Sequence, residues 1–316
     1  MSLPSKQDLL DAMSKIQSRI HQTPVLTSST FNALTGAEVF FKCENFQRMG
    51  AYKMRGALHA ITRLNADALS KGVVTHSSGN FAQAIALSAK INSIRAVIVM
   101  PENAPAVKVE AVKGYGAEIV FSGSLPSDRE QAVQEVIRKT GMTFIHPSND
   151  LQVILGNSTC IQELIQEVPD LDVIVAPVGG GGLLAGTALG AHWFGRDIEV
   201  WAAEPVNADD AHRSLRSGHI ETNEKADTIA DGLRTNLGDI NFPIIRELVS
   251  GVWLVSEEEI RNAMWWVWER MKIVIEPSSA VAVAAVMRNS AYLHQKRVGV
   301  ILTGGNVDIR SMSSNL

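Results

Sequence analysis

Short apolar runs recur along the chain, each followed by turn residues and then by a stretch with helical spacing. Val39–Lys42, Gly72–Thr75, Ala96–Met100, Glu118–Phe121, Val173–Val178, Glu199–Ala203 and Val298–Leu302 read as strands. Lys53–Leu64, Phe81–Ala89 and a segment around Val107–Gly114 carry the spacing of helices. Lys6 to Ile20 reads as an amphipathic helix with Asp8, Asp11 and Lys15 on its polar side. Such alternation predicts an α/β protein with parallel sheets and right-handed crossovers. Gly72 to about Phe144 reads as a βαβαβα unit, so we expect a small domain over 72–145 inserted between 1–71 and 146–316 of a larger one. No internal repeat or low-complexity linker interrupts the pattern.

Ligands of parallel sheets bind beyond the C-terminal ends of strands. Four turns in such positions carry small polar residues or glycine: Lys42–Gly56, His76–Asn80, Gly179–Gly182 and Thr303–Asn306. Four of them imply one site assembled from distant segments.

Composition narrows the classes. At 316 residues with net charge −4 and scattered basic residues, nothing draws the chain to nucleic acid or an anionic membrane. Cys43 and Cys160 lack metal-type spacing and read as buried, reduced thiols of a cytoplasmic protein. No apolar stretch approaches a membrane span, and the N-terminus does not read as a signal peptide. Met1 to Leu3 could be an expression scar, and the Ser-rich end from Ser311 is expected to fray.

Gly179, Gly180, Gly181 and Gly182 form the sharpest motif. Four successive residues without Cβ can wrap an anion at a helix start, where the dipole adds positive charge. Two owners fit. Gly180, Gly182 and Ala185 match G-x-G-x-x-A, with Glu204 where a ribose-binding acid is expected, which suggests an NAD-dependent oxidoreductase. The other owner is a single phosphate. Lys53, at a helix start directly after Tyr52, favours the second, because positive potential there would free the amine as a Schiff-base nucleophile. Ser77, Ser78 and Asn80 offer donors for a substrate carboxylate, and Thr303 a hydroxyl for a ring nitrogen. Taken singly these are a surface lysine, a helix cap and a glycine turn. Together they specify a pyridoxal phosphate site.

The stretches Asn45–Gln47, Lys53–Ala57, Ser77–Asn80, Gly179–Gly182, Ala203–Asp210, Ile229–Gly232, Trp268–Lys272 with Glu276-Pro277, and Thr303–Asn306 resemble the tryptophan-synthase-β-like pyridoxal phosphate enzymes. Within these, the chain is similar to the serine racemase and threonine/serine dehydratase branch, from Thr23 to Asp308. At this length, the regulatory domain of biosynthetic threonine dehydratases is not expected. The resemblance implies a two-lobed, three-layer α/β/α fold with mostly parallel sheets and the active site between the lobes. It implies that Lys53 carries the cofactor and acts as base on one substrate face, with Ser78 on the other. It also implies that Gly179–Gly182 hold the phosphate, Asn80 the ring hydroxyl and Thr303 the pyridine nitrogen, while Tyr52 and Gly232 line the ring faces. Glu204, Asp210 and the carbonyl of Ala208 match a divalent-cation site for Mg²⁺, Ca²⁺ or Mn²⁺. A homodimer is implied as well.

Three positions bear on specificity. Phe81 stands where histidine is usual, and Arg129 matches a position near the substrate carboxylate and could instead favour a second carboxylate. Met49 replaces a usual threonine and argues against nucleotide activation, although Lys108, Tyr115 and Lys272 match. The expected activity is an ammonia-lyase of L-threonine or L-serine, giving a 2-oxo acid and ammonia, with serine racemase activity. A dedicated serine racemase and a 3-hydroxyaspartate ammonia-lyase are the alternatives in chemistry.

Overall fold

The computed structural model describes residues 3–104, 106–123 and 125–310. The frayed end expected from Ser311 lies outside the described residues, as do Met1 and Ser2.

Two sheets organise the chain. The larger contains β1 (Val25–Thr27), β2 (Glu38–Cys43), β7 (Val173–Pro177), β8 (Glu199–Pro205), β9 (Gly251–Val255) and β10 (Arg297–Leu302), in the order β1-β2-β10-β7-β8-β9. The smaller contains β3 (Val73–His76), β4 (Ala96–Pro101), β5 (Glu118–Ser122) and β6 (Thr143–Phe144), in the order β5-β4-β3-β6. Every pairing is parallel except β1 on β2.

Central parallel strands are covered on both faces, which is why they read as unbroken apolar runs. In β7, Ile174 and Ala176 pack into one core while Val173 and Val175 pack into another. The smaller sheet repeats the arrangement, with Val73 and Ile98 in one cluster and Val74, Val97 and Val99 in a second. Each sheet is thus the middle of three layers, as the family resemblance implied.

The N-terminal helix ends at Ile16, short of the expected Ile20. Its last bonds give way to a turn, Arg19 N donating to Ile16 O, and Ile20 folds back beside Ile16, Met54 and Leu58. The helix Leu151–Glu167 is absent from the sequence reading, and Val153 through Ile165 are all buried, polar Asn157, Thr159, Gln162 and Glu163 among them.

Candidate active site

The Lys53–Thr62 helix begins without a side-chain cap at Tyr52. Contacts from the end of β10 fix its start instead. Tyr52 N donates to Thr303 O at 3.0 Å, Gly305 N to Gly50 O at 2.9 Å, and Ala51 bridges Gly304. Lys53 Nζ donates to Pro147 O at 3.0 Å and lies 5.1 Å from the Tyr52 ring centre and 5.6 Å from that of Phe81. Phe81 is 2% exposed, an apolar wall beneath the amine.

Ser148, next along from Pro147, packs on the glycine loop. A Cβ on Gly180 would fall 2.3 Å from Ser148 Oγ, and one on Gly182 2.7 Å from Ser148 O. Gly179 is pressed equally by Leu233 and Gly181 by Asn241, whose Nδ2 donates to Gly180 O at 2.7 Å. Gly181 is left-handed at φ +80 and caps the Gly182–Phe194 helix. The loop is therefore closed to side chains from behind, and the first N–H groups of that helix lack intrahelical partners. Gly232 joins through its N–H, which donates to Ser278 Oγ at 3.0 Å.

The Ser77–Asn80 turn follows β3, with Ser77 and Ser78 half-buried and Asn80 opening the helix Asn80–Ile91. Asn80 Nδ2 donates to both Glu276 oxygens at 2.9 and 3.1 Å, and its Oδ1 accepts from Asn306 Nδ2 at 2.8 Å. Asn306 also donates to Met49 O. Burial pushes the Glu276 carboxyl up to about 7, against the lowering effect of Asn80. Arg129 sits in the first turn of the Pro126–Thr140 helix, its Nε buried without a partner among the described residues. Burial, followed by the Arg129 charge, lowers His76. Burial, then His76 and Lys53, pushes His146 down to about 4. Its Nδ1 accepts from Ser148 N at 3.1 Å and Asn149 N at 2.8 Å, which assigns a neutral ring protonated at Nε2.

His146, Ser148, Asn241 and Ser278 escaped the sequence reading, and Glu276 entered it without a role. The available signal was the His146-Pro147-Ser148 turn, which follows a strand of only two residues.

Glu204, Ala208 and Asp210 form a separate, buried group at the end of β8. Glu204 accepts from Ala211 N and His212 N, both at 2.9 Å, so both its oxygens serve the start of the Asp210–Ser217 helix. Asp210 accepts from Asn223 Nδ2 at 2.7 Å and Leu237 N at 3.2 Å. Burial pushes Glu204 up to about 9, with Asp210 adding to it, and raises Asp210 to about 6. Two buried carboxyls with little positive charge beside them fit a cation of hard oxygen preference. Among the described residues no three His, Cys, Asp or Glu side chains converge for a metal, so carbonyl oxygens would have to complete the set. The segment from Leu237, on Asp210, to Asn241, on Gly180, links this group to the glycine loop.

The family model described as pyridoxal-phosphate dependent enzyme matches residues 16–304. The chain belongs to that family. Within the family it is 48% identical to a serine racemase of Dictyostelium discoideum over 320 residues, covering 100% of this chain and 99% of that one. It is 43% identical to a beta-hydroxyaspartate dehydratase of Paracoccus denitrificans, covering both chains in full at 100%. A maize serine racemase structure superposes with a TM-score of 0.95 at 43% identity, covering 98% of this chain and 95% of the other. Family membership assigns the single phosphate of pyridoxal phosphate, rather than a dinucleotide, to this protein. The residues fit that group: a lysine amine, and a glycine loop at a helix start backed by Ser148 and Asn241.

Proposed function

We propose that this enzyme is an ammonia-lyase of small β-hydroxy amino acids such as L-serine and L-threonine, with serine racemase activity. The observation that carries the reading is the Pro147-Ser148 pair, which holds the Lys53 amine on one side and backs the glycine loop on the other. Bound pyridoxal phosphate supplies a sink for the charge left when the substrate Cα loses its proton. Lys53 holds the cofactor and moves the Cα proton on one side, and the Ser78 hydroxyl serves the other. Gly179, Gly180, Gly181 and Gly182 seat the phosphate through their N–H groups. Tyr52 and Gly232 flank the ring, Asn80 orients its hydroxyl, and the neutral Thr303 hydroxyl faces its nitrogen. Ser77, Ser78, Asn80, Phe81 and Arg129 line the substrate side. A proton returned from Ser78 gives the other enantiomer, whereas loss of the β-hydroxyl as water leaves an enamine that a second water hydrolyses to oxo acid and ammonia.

Glu204, Asp210 and the Ala208 carbonyl hold Mg²⁺ or a similar cation in this reading, supported by the two buried carboxyls. The smaller sheet, within 72–145, forms a lobe inserted in the larger one, with the site between them. A homodimer in a reducing, cytoplasmic compartment completes the proposal, and the free, buried Cys43 and Cys160 suit that setting.

A second reading, a 3-hydroxyaspartate ammonia-lyase, is favoured by the unpartnered Nε of Arg129, which could meet a second carboxylate. One experiment separates them. The cofactor-loaded enzyme is assayed on L-serine, D-serine, L-threonine and 3-hydroxyaspartate, with oxo acid and enantiomer both measured. Turnover of serine to pyruvate and D-serine supports the first reading, preference for 3-hydroxyaspartate the second, and inactivity on all four rejects both.

A further inference from the structure

Two residues beyond Lys53, the same helix sends Arg55 into the interior, where it is 0% exposed. Its guanidinium has five N–H donors and makes five bonds. Nε and Nη2 donate to Glu44 at 2.7 and 2.8 Å, Nη1 and Nη2 to Glu163 at 2.7 Å each, and Nη1 to Thr159 at 3.2 Å. Lys42 closes the cluster, donating to Glu163 and to Thr23 O at 2.7 Å each, and Thr23 donates to Glu44. Two cations and two anions thus cancel in the core. Such a cluster is weak support for stability, since apolar residues of similar volume often serve as well. What it does provide is direction, because a planar fork admits one arrangement of two carboxylates.

The directions matter here. Glu44 lies at the end of β2, and Thr159 and Glu163 are four residues apart on one face of the Leu151–Glu167 helix. That helix crosses the Lys53 helix at Gly56 and Gly156, where a Cβ on Gly156 would stand 2.6 Å from Arg55 O. The glycine contact sets the distance between the helices, and His59 Nδ1 bonded to Gln152 O at 2.7 Å ties them one turn further on. Arg55 fixes their mutual direction within one turn of Lys53, at a helix start that no side chain caps. We propose that Arg55 is a positioning residue, which aims the Lys53 amine through the first turn of its helix. The inference rests on Lys53 carrying the cofactor.

The test compares wild type, Arg55→Lys and Leu164→Ala, the last a core change on the same buried helix that carries none of the cluster's hydrogen bonds. Each is reloaded with pyridoxal phosphate, and three quantities are measured: the cofactor dissociation constant, the fraction of Lys53 labelled after borohydride reduction, and Tm. Arg55→Lys keeps the charge but loses the fork. It is expected to weaken cofactor affinity about tenfold or more and to lower labelling at Lys53, while Leu164→Ala lowers Tm and leaves affinity within about twofold. If Arg55→Lys does not fold, Thr159→Val replaces it, with about threefold weakening expected. Unchanged affinity in the folded Arg55 or Thr159 variant overturns the proposal. So does an equal weakening in Leu164→Ala. Absence of label at Lys53 in wild type would overturn the functional reading as well as this one.

Discussion

Lys53 Nζ donates to the carbonyl oxygen of Pro147 at 3.0 Å, across 94 residues of chain. A neutral acceptor gives the amine a direction without tying it up in an ion pair. Replacing Lys53 by alanine should therefore leave the fold intact and remove covalent capture of pyridoxal phosphate. The visible absorption band and the borohydride-stable label should both vanish. A variant that still shows them would move the anchoring role elsewhere.

In the proposed function Ser78 serves one of two competing outcomes, so Ser78→Ala should be selective. Racemisation is expected to fall about 100-fold or more, the usual scale of a lost general acid or base, with elimination largely kept. Chiral chromatography of serine alongside a pyruvate assay measures both. Equal loss of the two activities would remove Ser78 from proton transfer.

A methyl group on Gly180 has nowhere to go, with Ser148 Oγ only 2.3 Å from its Cβ position. Gly180→Ala should cost about 1–3 kcal/mol of stability through overpacking. It should weaken pyridoxal phosphate binding as the loop is pushed off Ser148. Thermal unfolding with and without the cofactor tests this, and an unchanged cofactor-induced rise in Tm would contradict it.

The metal proposal makes a demand on the glycine loop, because the segment from Leu237 to Asn241 touches Asp210 at one end and Gly180 at the other. Chelation should lower Tm and loosen the cofactor together, and Mg²⁺ should restore both. If chelation changes neither quantity, the Glu204–Asp210 site holds no functional cation.

Glu276 sets a pH dependence. Its carboxyl is held at about 7 in the fold against an ordinary 4.5. A raised acid contributes stability that is complete below its unfolded value and is lost as pH rises to its folded value. Wild type should thus lose stability between about pH 4.5 and 7 relative to Glu276→Gln, which cannot ionise. The gap in Tm between the two should widen across that window and stay level above it. A constant gap would show that Glu276 ionises normally.

Much of this architecture can be read from the chain, and the part that cannot has a common cause. Strands such as Val173–Pro177 announce themselves because both faces are buried, and the turns after them stand out by their small residues. Glu276 and Asn80 carry no sign of each other, since 196 residues separate them and only the folded chain pairs them. Lys42, Glu44, Arg55 and Glu163 read as ordinary surface charge until they meet in the core. The Leu151–Glu167 helix hides its role in another way: its polar Thr159 and Glu163 read as a solvent face, whereas the folded chain buries them.

The chain enters the smaller sheet once, at Val73, and leaves it once, after Phe144. Lys53, the glycine loop and Thr303 all lie outside that excursion, while Ser77, Ser78, Asn80, Phe81 and Arg129 lie within it. In the proposed reading, the lysine and the phosphate seat thus lie on separate stretches of gene from Ser78, Phe81 and Arg129. Exchange of a single continuous cassette could give an old cofactor seat a new choice of amino acid, with only two junctions to mend.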